Sequence, residues 1–277
     1  MVSSENVAVG DEPLATDDVM VSVEGLTKTY GGDEGTVTAV EDIDLEVDRG
    51  EFLSIVGPSG CGKTTLLHLA GGILEPTAGR VRIDGVDVQT PEHEKHSVGL
   101  VFQRPVLLEW RSVISNVMLP IQIMVKNGSL GGEIEDYRDQ AYDLLRLVGL
   151  EGFEESYPQE LSGGMQQRVS ICQSLIYDPA VLLMDEPFGS LDALTKNKLN
   201  EEFLDIWNEQ QKTVLFVTHD LDEAVFLSDR IVVMSPRPGH IVDVIDVDIE
   251  RPRTDETRTT EAYHDLVARA YGHFTEK

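Results

Sequence analysis

Eight consecutive residues, Gly57-Pro58-Ser59-Gly60-Cys61-Gly62-Lys63-Thr64, fit the phosphate-binding pattern G-x-x-x-x-G-K-[ST] without a mismatch. Phosphate oxygens need donors at close range with no side chain in the way, and glycines at 57, 60 and 62 let backbone N–H groups wrap them. The helix that follows adds its partial positive charge, so nucleotide contacts are expected from Gly57 through Thr65. Lys63 is expected to reach the β and γ phosphates, and Thr64 to hold Mg²⁺ through its hydroxyl. Three further polar groups stand at the carboxyl ends of apolar runs, the edge where ligands bind in an open parallel sheet. They are Gln103 after Val98–Phe102, Asp185-Glu186 after Val181–Met184, and His219 after Thr213–Thr218. Asp185 can hold Mg²⁺ through water, and Glu186 beside it can orient or deprotonate an attacking water, help worth about 10²–10⁴ in rate. By their types alone, Gln103 could equally cap a surface turn and His219 could be a hydrogen-bonded structural histidine.

These groups need elements to hold them. Phe52–Val56 reads as a buried strand entering the glycine-rich loop, and Thr65–Ala70 as the helix leaving it. Apolar and polar residues roughly alternate over Val19–Tyr30 and Val40–Val47, which predicts half-buried antiparallel strands, and Arg80–Gly85 predicts a hairpin-like strand. Tyr30 closes the first stretch, where it could stack on a base or simply precede a glycine turn. Between Arg104 and Glu160 the pattern turns helical, with one helix expected over Val113–Val125 and another over Glu133–Val148, separated at Lys126-Asn127-Gly128-Ser129. Neither an internal repeat nor a low-complexity block occurs.

The chain has 277 residues, enough for one large α/β domain with a subdomain, and 50 acidic residues against 22 basic ones give a formal charge of −28. The apolar fraction is ordinary, so the acid excess belongs to the surface. Screening shortens to about 3 Å at 1 M salt, and such a surface suits a halophilic source. It argues against nucleic-acid binding, which needs a basic face. The two cysteines, Cys61 and Cys172, suggest neither a disulfide framework nor a metal site. Residues 1–18 carry no Lys or Arg and no long apolar core, so they read as a solvated acidic tail rather than a signal peptide. No apolar run is of bilayer length, and any membrane role is expected to come through a partner.

Leu161-Ser162-Gly163-Gly164-Met165-Gln166-Gln167-Arg168 stands before a helix expected from about Val169 to Tyr177, and a serine with two glycines at a helix start makes a second anion site. Here the sequence resembles the ATP-binding cassette (ABC) ATPases, whose signature is this L-S-G-G-Q-like run, with Met165 where glutamine often stands. The resemblance covers about Val19 to Asp248 and takes the remaining motifs in the family's order. It implies Tyr30 as the adenine-stacking aromatic, Gly57–Thr64 as Walker A, and Gln103 as the Q-loop, a further Mg²⁺ contact. It likewise implies Asp185 and Glu186 as Walker B with its catalytic glutamate, Ser190-Leu191-Asp192 as the D-loop, and His219 as the switch histidine. The implied fold is α/β, a P-loop NTPase (RecA-like) core with an antiparallel β subdomain and an inserted α-helical subdomain. The implied domain runs over 19–250 with the insert at about 104–161, and 251–277 form a C-terminal extension. The implied assembly is a head-to-tail dimer in which Ser162, Gly163 and Gly164 of one copy contact the γ-phosphate held by Lys63 of the other, and Asp192 is a further nucleotide contact.

Within the cassettes, Phe102-Gln103-Arg104-Pro105, Leu107-Leu108-Glu109-Trp110-Arg111 and Asn116-Val117-Met118-Leu119-Pro120 resemble the importer ATPases for nitrate, sulfonates and taurine. So does the tail with Arg251-Pro252-Arg253, Arg258, Tyr263-His264 and Leu266. Glu109 departs from the proline usual in that group. That likeness implies ATP and Mg²⁺ as cofactors, a partner permease and, indirectly, a solute-binding protein, at the cytoplasmic face of the membrane. Leu107, Leu108 and Trp110 could line a groove for a permease helix or pack within the insert. The alternative is a soluble cassette ATPase of the iron–sulfur assembly type with no permease, separated by whether an integral membrane protein co-purifies.

Overall fold

Alternation turns Val21 and Val23 of β1 (Val19–Gly32) and Ile43, Leu45 and Val47 of β2 (Gly35–Asp48) inward, and the two strands pair antiparallel with irregular register. This computed structural model describes residues 18–32, 35–90 and 98–275; apart from Asp18, the expected acidic tail lies outside them. β3 (Phe52–Val56), helix α1 (Lys63–Ala70), β4 (Ala78–Ile83), β5 (Val86–Asp87) and β6 (Val98–Val101) follow. Helices α2 (Val113–Val117), α3 (Leu119–Lys126), α4 (Arg138–Leu147) and α5 (Gly163–Leu175) form the middle of the chain. The last part comprises β7 (Val181–Asp185), α6 (Ala193–Gln210), β8 (Thr213–Val217), α7 (Leu221–Leu227), β9 (Arg230–Met234), β10 (Ile241–Asp246) and α8 (Glu261–Thr275).

Two sheets result. One is antiparallel in the order β2-β1-β4-β5, and the other runs β10-β9-β3-β8-β7-β6, parallel except for β10 at its edge. β3 and β8 are buried along their whole length, as their unbroken apolar runs require of strands covered on both faces. α1 lies between the sheets, where Leu66, Leu67 and Leu69 share a core with Leu26 and Ile43 of the first sheet and Leu53 and Ile55 of the second. On the other face Phe52 packs edge-on to Phe203 and Trp207, in a core that continues through Val113, Leu145 and Val169 of the helical region.

Three helices differ from their sequence pattern. The stretch Val113–Val125 is two helices meeting at Met118, because Pro120 has no N–H to continue the first and is suited to the opening turn of the second. Glu133–Val148 opens with a 3-10 turn over Ile134–Tyr137, closed by reciprocal bonds between Glu133 and Asp136, before α4 begins. The helix expected from about Val169 starts six residues earlier, at Gly163, since the Ser162 side chain accepts the N–H of Met165 as an N-cap. Gly163 and Gly164 therefore sit inside the first turn.

The C-terminal residues pack on α7. The buried Tyr263 of α8 donates its hydroxyl to the Asp222 carbonyl at 2.7 Å. Arg253, itself buried, donates to the carbonyls of Val225, Phe226 and Ser228, placing a cation on the free C-terminal carbonyls of that helix. Among the described residues no helix is long and apolar enough to cross a membrane.

Candidate functional site

The loop after β3 turns back on itself before α1 begins. Gly62 holds φ at 107°, and a Cβ there would stand 2.7 Å from the Ala39 carbonyl, so the loop passes beneath β2 only with glycine at this point. α1 opens with no side-chain cap and no acidic residue in its first turn, which leaves its N–H groups free for an anion. Lys63 is buried with its ammonium on the loop's own carbonyls, 2.8 Å from Gly57 and 3.3 Å from Pro58. A buried cation beside uncapped N–H groups suits phosphate.

Strands β7 and β8 deliver the acids and the histidine to the same edge. Thr64 donates its hydroxyl to Asp185 Oδ1 at 3.1 Å, joining the start of α1 to the end of β7. Burial holds the Asp185 carboxyl above its usual range, opposed in part by that hydrogen bond. Glu186 sits at φ 45°, a conformation that non-glycine residues rarely adopt, and its N–H is fixed by the Val217 carbonyl at 2.9 Å. Its Oε2 accepts from Gln103 Nε2 at 3.2 Å and lies 3.1 Å from His219 Nδ1. Three motifs far apart in sequence thus meet on one carboxylate oxygen.

Tyr30, Lys63, Thr64, Glu186, His219 and Arg237 are among the walls of a cavity of about 460 Å³, along with Ser59, Gly60, Gly62 and Thr65. That volume is in the range of small-molecule sites. Tyr30 is 43% exposed and is one of the lining residues, and a ring there can stack on a base. Nine of the expected contacts are not among the cavity's walls: Gly57, Pro58, Cys61, Gln103 and Asp185, each adjoining or bonded to a residue that is, and Ser162, Gly163, Gly164 and Asp192. Ser162, Gly163 and Gly164 line none of it; the space beside Gly163 leads to Leu191, and that beside Gly164 to Thr195. Asp192 caps α6 by accepting the Thr195 N–H at 3.1 Å, and Thr195 holds its carboxyl below the usual range. Trp110 is 75% exposed, whereas Leu107 packs against the core, so the two residues do not act as one buried cluster.

A polar layer backs His219. Thr218 donates to the buried Glu223, Asp220 pairs with Lys196 of α6, and the same Asp220 accepts the N–H groups of Asp222 and Glu223 at the start of α7. Burial pushes the Glu223 carboxyl up to about 7, with the Thr218 hydrogen bond opposing it. In Asp220 the opposite balance holds: burial raises it, but Lys196 and the two N–H groups together pull it below the usual range. Sequence reasoning missed this layer and Arg237. The dipeptide Pro236-Arg237 within a Pro-Gly turn is visible in the sequence, but nothing there brings it to the glycine-rich loop.

The sequence pattern that describes the ABC transporter family matches residues 40–189, more than half of the chain. The chain belongs to the ABC transporter family. Among its relatives, the aliphatic sulfonates import ATP-binding protein SsuB of Bacillus thuringiensis subsp. konkukian is 38% identical over 253 residues, 91% of this chain and 96% of that protein. The taurine import ATP-binding protein TauB of Yersinia pestis bv. Antiqua is 43% identical over 224 residues, 81% of this chain and 83% of that protein. The dimeric structure of the ATP-binding cassette MJ0796 in a post-hydrolysis state, with ADP and Pi, is 32% identical with a TM-score of 0.71, covering 83% of this chain and all of that one. As an ABC ATP-binding protein the chain binds and hydrolyses ATP, and its mixed α/β architecture is that of the family's cassettes.

Proposed function

We propose that this protein is the ATPase subunit of an importer for a small anionic solute of the sulfonate or taurine kind, working through a permease in the membrane. Its likeness to import ATP-binding proteins along most of their length supports this reading, and does not extend to the assembly-factor alternative. The single observation that carries the chemistry is the convergence of Gln103 and His219 on Glu186, one residue after the Asp185 bonded to Thr64.

In this reading the triphosphate lies along the N-terminus of α1 with its base on Tyr30. Lys63 leaves the Gly57 and Pro58 carbonyls for the β and γ oxygens, and the N–H groups of Ser59 through Thr65 surround them. Glu186 orients or deprotonates the attacking water, held in place by Gln103, and His219 senses the terminal phosphate from the other side. The hydroxyl of Thr64, the carboxylate of Asp185 and the amide of Gln103 are hard oxygen donors that fit Mg²⁺, and Thr64 and Asp185 already share one hydrogen bond. Bound there, Mg²⁺ would neutralise charge on the β and γ oxygens.

We assign the ATPase domain to 19–250 with its helical insert at about 104–161, and the C-terminal extension to 251–277. Ser162, Gly163, Gly164 and Asp192 serve the nucleotide of a second copy in a head-to-tail dimer, and the exposed Trp110 faces the permease. The motor sits on the cytoplasmic face of the membrane, and the charge of −28 suits a salty interior, so its melting temperature should rise from low to molar KCl. The test of the transport role is purification from detergent extracts together with uptake of taurine and of short alkanesulfonates by cells with and without the protein. Recovery free of any integral membrane protein, with uptake of both solutes unchanged, would remove it.

A further inference from the structure

Arg237 stands in the turn between β9 and β10, and that turn is tied to β2 and lies against the phosphate loop. The Gly239 N–H donates to the Ala39 carbonyl at 3.0 Å, and the Glu41 N–H to the Gly239 carbonyl at 2.9 Å. A Cβ at Gly239 would fall 2.0 Å from the Cys61 carbonyl, so the turn touches the loop backbone to backbone. Ser235 closes the turn across its base, donating to the Pro238 carbonyl at 3.1 Å and accepting the His240 N–H at 3.0 Å. Thus fixed, the Arg237 guanidinium lies over the loop and donates Nε and Nη2 to the Gly60 carbonyl at 3.2 and 3.1 Å.

Two of its nitrogens on one carbonyl leave N–H groups of the guanidinium unused, on a side chain that lines the same cavity as Lys63 and Tyr30. Arg230, Arg251, Arg258 and Arg269 each pair with a carboxylate. Among the described residues no carboxylate pairs with Arg237, in a chain with 50 acids to 22 bases. An arginine kept from carboxylates at the wall of a phosphate site has its charge available for the ligand.

We infer that Arg237 is a phosphate-binding residue of the ATP site: it keeps the Gly60 carbonyl and gives its remaining N–H groups to the phosphate chain of the nucleotide. This rests on the reading that the cavity takes ATP. The guanidinium adds to Lys63 a second full charge against the triphosphate, and its hold on Gly60 keeps the loop's N–H groups facing inward. It differs from a brace in one respect, that its contribution grows with the number of phosphates.

Calorimetric titration of the purified full chain with ATP, ADP and AMP, at two KCl concentrations, separates the two. Arg237→Gln is expected to raise the Kd for ATP roughly ten- to a hundredfold, the size of a lost hydrogen bond to a charged group, and to leave AMP within about twofold. The slope of log Kd for ATP against log[KCl] should become shallower, and Arg237→Lys should recover part of the affinity while unfolding at the temperature of the parent. Equal weakening for all three nucleotides would show a brace and overturn the inference, as would an unchanged Kd for ATP. Lys63→Ala distinguishes the underlying reading: if that variant keeps ATP affinity, the cavity is not the ATP site and both readings fall. If it loses ATP while Arg237→Gln does not, only the inference about Arg237 falls.

Discussion

The helices that begin after Gly62 and at Ser162 are both open to an anion, yet they bring different things to it. Neither has an acidic residue in its first turn, in contrast to α7, which closes its own start with Asp220, Asp222 and Glu223. α1 carries its own lysine and a threonine bonded to Asp185, and it shares one cavity with His219 and with Glu186, whose carboxylate the Gln103 amide bonds. α5 carries none of these. Its serine caps the helix, and its nearest arginine, Arg168, is held by Glu202 and the Val148 carbonyl. A bare helix end offers N–H groups and a partial charge, worth up to about 2 kcal/mol at best, so it can complete a site but cannot make one. The difference teaches that the α1 side and the α5 side are built to different standards, and in the proposed dimer each needs the other.

Glu186→Gln strikes the richer half and should have the largest effect. The amide keeps the shape and can still meet Gln103 and His219, but it cannot take a proton, so ATP turnover should fall by about 10²–10⁴ while ATP binding stays near that of the parent. Size-exclusion chromatography with ATP should then show the dimer accumulating. Turnover close to normal would take the base role away from Glu186.

Next in size is a pair of variants that divides the two halves between chains. Ser162→Arg should suppress hydrolysis by about a hundredfold without weakening ATP binding to its own chain, and Lys63→Ala should abolish binding. A mixture of the two variants contains dimers with one intact composite site, Lys63 from one chain facing Ser162 from the other. Such mixtures should hydrolyse ATP faster than either variant alone. No recovery on mixing would count against the shared site.

The α1 side of the site was legible in the sequence because its residues sit in contiguous motifs at strand ends, and alternation or unbroken apolar runs fix those strands. β1, β2, β3, β7 and β8 lie within a few residues of where the patterns put them. From the sequence the start of α5 falls six residues late, at about Val169, since glycines are poor helix formers and the bond from Met165 to Ser162 that makes Ser162 the N-cap shows only in the structure. Gln103 and His219 could each have been bland by residue type, and only their meeting on Glu186 distinguishes them. Arg237 and Glu223 were invisible for another reason. Both act through contacts with residues distant in sequence or hidden by burial, the loop carbonyl of Gly60 for the first and the Thr218 hydroxyl for the second, which no local pattern encodes.

Glu223→Gln asks what the closed start of α7 costs behind His219. Burial lifts this carboxyl from its ordinary 4.5 to about 7, so the folded chain holds its proton more tightly than the unfolded chain. Stability must then decline as pH rises from about 4.5 to about 7 and stay level above that. The amide keeps the bond with Thr218 and removes the charge. At pH 8 the variant should be more stable than the parent by on the order of 2–3 kcal/mol in urea unfolding, and the gap should close near pH 4.5. A constant gap at both pH values would mean that Glu223 is ionised in both states, and that the layer behind His219 holds a charge after all.

The smallest effect concerns the end of the cavity that neither helix reaches. Tyr30 projects from the end of β1 with one side of its ring near the Lys28 ammonium, 5.3 Å from the centroid. A base laid on the open side gains stacking of about 1–3 kcal/mol, whatever phosphates follow it. Tyr30→Ala should therefore weaken ATP, ADP and AMP by one common factor of roughly tenfold, with the salt dependence of each unchanged because no charge is lost. This pattern is the reverse of that expected for Arg237→Gln, where the loss scales with phosphate number. If Tyr30→Ala instead weakened ATP more than AMP, the ring would be acting through the phosphate loop, and the division of the cavity into a stacking end and a charged end would be lost.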